Sequence, residues 1–275
     1  MFKVLRGSRL SRGAARSDPD SGVATVVAMA RFADTDEFAG AEFVRVDLSE
    51  ARIRNSTMEK AWLRAVFLDG AVIEGVFLNE GSLHINGVDV VPLIEAELDR
   101  RNPGRSLMRS RDPDGLRRAW AAVEDAWAST LERVAAMPDG TSDVSVEGEW
   151  SFAQTLRHLT FAIDAWLRKS ILELPDPYHA YGQPHRSAES DGFDMSLLST
   201  DTPPYAAVVE VFRGRQEQVR DYLSTVTDDQ LAEERPFVWG PENQLPVLEC
   251  VHTMLNESWE HHRYAVRDLD VISAG

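Results

Sequence analysis

From Phe38 to Leu83 a large apolar residue returns at every fifth position: Phe38, Phe43, Leu48, Ile53, Met58, Leu63, Leu68, Ile73, Leu78 and Leu83, without a gap. An amphipathic helix shows apolar periods of three and four, and a half-buried strand a period of two. Five fits neither. It fits short extended pieces joined by regular corners. Small or modest residues stand two positions earlier, at Ala41, Val46, Ala51, Ser56, Ala61, Val66, Ala71, Val76 and Gly81. In an extended piece, residues i and i−2 point the same way, so each side of a narrow tube takes one large and one small residue. Asp47, Glu50, Arg52, Arg54, Asn55, Glu59 and Lys60 fall outside it.

This stretch closely resembles the pentapeptide-repeat family, which implies a short right-handed quadrilateral β-helix of about two and a half coils over residues 37–86. One feature departs from a plain solvated tube. Trp62, Phe67, Val72 and Phe77 stand at outward positions where the earlier equivalents Glu42, Asp47, Arg52 and Thr57 are polar. An exposed apolar row marks a contact. Two partners fit it: the following segment of the same chain, or a second copy or other protein in a homodimer or complex.

Composition bounds the rest. The 275 residues carry a net charge of −16, which argues against nucleic acid or an anionic membrane surface as partner. No apolar run reaches the length of a membrane span. The single Cys250 excludes an intrachain disulfide, and a reducing, cytoplasmic setting is the simplest expectation. Residues 1–36 open with Lys3, Arg6, Arg9, Arg12 and Arg16 and lack the apolar core of a secretion signal. They read as a basic, disordered leader.

After the repeats, DVVPLIEAELDRRN (Asp89–Asn102) reads as a short helix with Pro92 in its first turn. A solenoid end needs a cap, and residues 87–106 are expected to serve as capping helix and linker. From Asp112 the period turns helical. Four long amphipathic helices are expected over 116–137, 152–172, 205–226 and 247–269, forming an all-α four-helix bundle across residues 107–275. Trp120, Val123, Trp127, Leu131 and Val134 face inward on the first, and Ser151 N-caps the second. The connection 173–204 is long enough to expect a functional or disordered loop. It contains Tyr178, His179, Tyr181 and His185.

Two stretches carry the chemistry: EWSFAQTLRHLTFAIDAWLRKSIL (Glu149–Leu172) and LNESWEHHRYAVRDLD (Leu255–Asp270). Together they resemble the DinB superfamily, and within it the branch related to mycothiol-dependent maleylpyruvate isomerases. The resemblance covers about residues 110–270. It implies a divalent transition metal, zinc or nickel, at one mouth of the bundle, with His158 as first ligand and His262 as last. It also implies a low-molecular-weight thiol such as mycothiol, and transferase or isomerase chemistry. The family's middle ligand, four residues before the last, falls here on Ser258. Glu257 is rotated from that position by about 100°, so it reaches only through its longer side chain or a local distortion; water held by Ser258, or the loop histidines His179 and His185, are the other sources of a third ligand. Glu257 also stands four residues before His261, which offers an alternative pairing on one helix face. The stripe Val247, Val251, Met254, Ser258, His262, Ala265 and Leu269 points His262 inward and leaves His261 on the flank.

Two functions therefore compete. One is a metal- and thiol-dependent transferase or isomerase using His158, His262 and Glu257. The other is a non-catalytic binding or scaffold protein, with His158 and His262 left as hydrogen-bonded core histidines. No Walker or GxGxxG loop, Cys-based zinc spacing, HExxH or GxSxG motif is present.

Overall fold

The computed structural model describes residues 31–33, 35, 37–54, 56–73, 81–185 and 187–274. The chain divides into two compact units, Met1–Val72 and Ile73–Gly275. The division falls earlier than the boundary expected near residue 86. Phe77 and the residues before 31 lie outside the described residues.

In the first unit the fivefold period is written into the backbone. Gly40, Arg45, Glu50, Lys60, Ala65 and Gly70 all have positive φ, between 52° and 74°. A left-handed residue thus recurs at five-residue intervals among the described positions. Tight turns recur at ten: the amides of Ala41, Ala51, Ala61 and Ala71 donate to the carbonyls of Phe38, Leu48, Met58 and Leu68 at 3.0–3.1 Å. None of the described residues from 37 to 73 lies in a strand, so the expected β-helix is not shown. The large fifth-position side chains are only half covered, Leu68 being 48% exposed and Ile73 62%. The outward positions are barer: Trp62 is 86% exposed, Phe67 101% and Val72 84%. The guanidinium of Arg64 lies 5.2 Å from the Trp62 ring centre.

The second unit opens with a small hairpin, β1 (His84–Ile85) against β2 (Val88–Asp89), turning through Asn86 and Gly87 with positive φ. Helix α1 (Val91–Arg101) follows with Pro92 in its first turn, where no intrahelical donor is lost. Arg105 leads a 3-10 turn (Arg105–Arg109) and reaches back to α1, bonding Glu95 at 2.9 and 3.0 Å and Asp99 at 2.9 Å.

Four long helices make the core. They are α2 (Pro113–Ala135), α3 (Phe152–Ile163), α4 (Tyr205–Thr225) and α6 (Val247–Ala274). Each of α2 and α3 packs against both α4 and α6. Asp112 caps α2 by accepting from the Gly115 amide, and Ser151 and Gln154 form a reciprocal capping box on α3. Helix α3 does not stop at Ile163. It continues as a π-helix, Asp164–Ile171. A short α5 (Asp228–Leu231) and a second hairpin, β3 (Glu234–Phe237) with β4 (Gly240–Pro246), lead into α6.

Trp127 is fully buried at the centre and touches every long helix. Its ring lies 6.0 Å from Phe152 of α3, 5.4 Å from Phe212 of α4 and 5.2 Å from His262 of α6. Its indole N–H donates to the Ser258 carbonyl at 3.1 Å. A smaller aromatic cluster of Phe161, Ala188 and Phe193, with Tyr178, Leu198 and Trp239 beside it, holds the 173–204 connection against α3. Among the described residues, no helix is long and apolar enough to cross a membrane.

Candidate metal centre

Helices α3 and α6 bring three potential ligands together. His158, Glu257 and His261 each offer one atom, and these atoms lie within 4.8 Å of one another. Glu257 and His261 are one helical turn apart on α6, so they share a face. His158 comes from α3, where it is buried at 8% exposure. Glu257 Oε2 lies 3.4 Å from His158 Nε2 and 3.3 Å from His261 Nδ1. The histidine rings are 4.8 Å apart, and Trp150 lies 4.6 Å from His158 and stacks at 6.1 Å on His261.

The hydrogen bonds around the cluster define which imidazole nitrogens remain free. His158 Nδ1 faces the Gln183 carbonyl at 3.0 Å, and His261 Nδ1 faces the Glu257 carbonyl at 2.9 Å. A carbonyl only accepts, so both Nδ1 atoms carry the proton and both Nε2 atoms keep a lone pair. This is how metal-ligating histidines are usually oriented from behind. Glu257 Oε2 is buried and has no hydrogen-bond partner among the described residues. Burial opposes the charge on Glu257, but His158 and His261 when protonated, with His185 beyond, outweigh it and hold its pKa below the usual carboxylate value. Burial first, and then the neighbouring His158, lower the pKa of His261 and favour the neutral, ligating form. The His158 Nε2 lone pair and a buried carboxylate oxygen with no hydrogen-bond partner among the described residues fit a divalent cation, and His261, which faces that oxygen through Nδ1, joins them once its ring presents a lone pair.

His262 lies elsewhere. Its Nε2 sits 2.8 Å from Thr130 Oγ1 and 3.1 Å from the Ala126 carbonyl, edge-on to Trp127. Burial lowers its pKa. The structure therefore brings together two of the three residues singled out in sequence, His158 and Glu257, and supplies His261 where His262 was expected. The reason is geometric. The apolar stripe of α6 faces α2, and both His262 and Ser258 follow it there. The site instead faces α3 on the flank, which the Glu257–His261 spacing already marked. Trp150 and the Gln183 carbonyl had no sequence signal.

The loop histidines stand outside the cluster. The His179 amide donates to Asp164 Oδ2 at 2.7 Å, and His185 Nε2 pairs with Asp191 at 3.0 Å over Trp239. His252 faces the Ser110 carbonyl at 2.7 Å. A groove of about 760 Å³ between α2 and α4 is lined by Glu124, Gln216 and Arg220 among others and includes none of the three clustered residues.

No curated protein and no solved structure matches this chain. A family model does. The model of the DinB superfamily matches residues 122–265, more than half of the chain and the whole span that holds His158, Glu257 and His261, and the protein belongs to that superfamily.

Proposed function

We propose that this protein binds a divalent transition metal through His158, Glu257 and His261 and uses it in transferase or isomerase chemistry on a low-molecular-weight thiol. The observation that carries the metal reading is the convergence of three ligand atoms within 4.8 Å, with both imidazole Nδ1–H groups already committed to carbonyls. Two neutral imidazoles and one carboxylate suit zinc or nickel. Three protein ligands leave coordination open for an exogenous group. When bound, the ion would supply Lewis acidity that lowers the pKa of a coordinated thiol or water. His158 would hold the ion through Nε2, Glu257 would balance its charge, His261 would complete the set, and Trp150 packs against both imidazoles. The thiol part of the reading, mycothiol in particular, rests on the family branch that the two motif stretches resemble.

The test is metal content. Protein purified without a His-tag should carry about one equivalent of metal, and His158→Ala should lose it. A chelator should lower the Tm of the wild type. Absence of metal in the wild type after loading with zinc, nickel, cobalt and manganese would defeat the reading.

A second reading is carried by the bare row Trp62, Phe67 and Val72. We propose that the first unit is a short four-sided pentapeptide coil, supported by its left-handed corners at five-residue intervals, and that this row contacts a second copy or another protein. Light scattering should show a dimer that Trp62→Ser with Phe67→Ser abolishes. A monomer at high micromolar concentration would exclude the homodimer.

A further inference from the structure

The connection between α3 and α4 is tied down along one side of α3, and the ties end at the metal cluster. Asp164, at the start of the π-helix, is fully buried. Its Oδ1 pairs with Arg215 Nε of α4 at 2.5 Å and lies 3.4 Å from Arg168 Nε, while its Oδ2 accepts the His179 amide at 2.7 Å. Arg168 donates to the carbonyls of Pro177 at 2.7 Å and Asp176 at 3.2 Å. Further along, Arg157 Nε donates to the Tyr181 carbonyl at 3.0 Å, and the Gln183 amide donates to the Arg157 carbonyl at 3.1 Å. The last tie is the Gln183 carbonyl, which takes the Nδ1 proton of His158 at 3.0 Å. Gly182 lets the strand of loop lie flat on the helix. A Cβ there would stand 3.2 Å from the His179 carbonyl oxygen and 3.4 Å from Phe161 Cβ.

We propose that Asp164 is a positioning residue for His158, acting through loop residues 176–183. The inference rests on the metal-site reading for its function but not for its geometry. Asp164 touches none of the three clustered residues. A buried charge held by two arginines is costly to desolvate and is often no better for stability than an apolar substitute. Here it has a separate task. It fixes the amide of His179, four residues before the carbonyl that decides which nitrogen of His158 is protonated. If that carbonyl drifts, the imidazole proton is free to move to Nε2, and the lone pair facing Glu257 is lost.

Asp164→Asn tests this, because an amide oxygen can accept from Arg215 or from His179 but not satisfy both as the carboxylate does. Two readouts are needed. The first is affinity for zinc, by competition with a chromophoric chelator. The second is the tautomer of His158 in metal-free, ¹⁵N-histidine-labelled protein. Outer-shell substitutions at metal sites typically weaken binding about 10–100-fold, and that loss is expected here, together with a shift of His158 away from the Nδ1–H form. Gly182→Ala, which crowds the His179 carbonyl in the same loop turn without touching the buried charge, should move both readouts the same way, and it carries the test if Asp164→Asn does not fold. A folded Asp164→Asn or Gly182→Ala protein with unchanged His158 tautomer and zinc affinity within twofold of wild type overturns the proposal. A tautomer shift in a protein that never binds metal would uphold the positioning role and overturn the metal reading alone.

Discussion

His261 and His262 are neighbours in sequence and should behave as opposites when each is replaced by alanine. His262 contributes a hydrogen bond to Thr130 or Ala126 and an edge-on contact with Trp127. One net hydrogen bond is worth about 0.5–1.5 kcal/mol and one aromatic pair a similar amount. Its removal also leaves a hole beside the core, so His262→Ala should cost about 2–3 kcal/mol. In a domain of this size that corresponds to a fall in Tm of about 4–12 °C. Zinc affinity should remain within about threefold, because His262 is turned away from the cluster. His261→Ala removes a ligand and one bond to a carbonyl of its own helix turn. It should cost within about 1 kcal/mol of apo stability. Its zinc affinity should fall by more than about a hundredfold, beyond what outer-shell changes achieve. Differential scanning fluorimetry on chelator-treated protein reads the first quantity, and chelator competition the second. If His262→Ala strips the metal while His261→Ala retains it, the reasoning from ring orientation is wrong, and the expectation drawn from the helix stripe was the better guide.

Three further outcomes follow from the core. Trp127→Phe should destabilise by about 1–3 kcal/mol in urea unfolding, since it removes the indole bond to the Ser258 carbonyl and leaves a gap between four helices, whereas the exposed Trp62→Ser should stay within about 0.5 kcal/mol. Tyr178→Phe should be neutral or stabilising by up to about 1 kcal/mol, because the buried hydroxyl has no partner among the described residues, and its pKa is pushed up to about 12 by burial; a loss above that size would reveal a partner. Cys250 is buried beside Ser170, and burial raises its thiol pKa, so a thiol reagent at pH 8 should label it only after unfolding; rapid labelling of native protein would contradict that.

Much of the helical unit was legible because burial imposes a period. Trp120, Val123, Trp127, Leu131 and Val134 were expected inside α2 and are buried there. Ser151 was expected as an N-cap and forms one. The hairpins were not legible: Glu234–Phe237 and Gly240–Pro246 are short, polar and contain prolines, the composition of a loop. The site was half legible. His158 and Glu257 carry a recognisable pattern, but choosing between His261 and His262 by the apolar stripe assumes that ligands face the helix's own core. Here they face a flank. The ties on the 176–183 loop were invisible because most of them end on backbone carbonyls and amides, which every residue has. In the first unit the period of five survives as recurring left-handed residues, while the large side chains stay half exposed and no strand appears among the described residues.

The second long helix, α3 with the π-helix Asp164–Ile171 that continues it, serves two neighbours. Arg157, Asp164 and Arg168 hold the 176–183 loop, and His158 lies in the candidate metal cluster. Within the π-helix, Ser170 donates to the Pro236 carbonyl at 2.6 Å, the Ile171 carbonyl accepts from Arg235 at 3.2 Å, and Trp166 packs on Phe237, all in the β3–β4 hairpin. In an unbroken α-helix, both sets would be locked to one angular phase, and any residue added or lost for one would rotate the other by about 100°. The wider turn absorbs that phase difference locally. It sets which side Trp166, Ser170 and Ile171 present to the hairpin relative to the direction of His158.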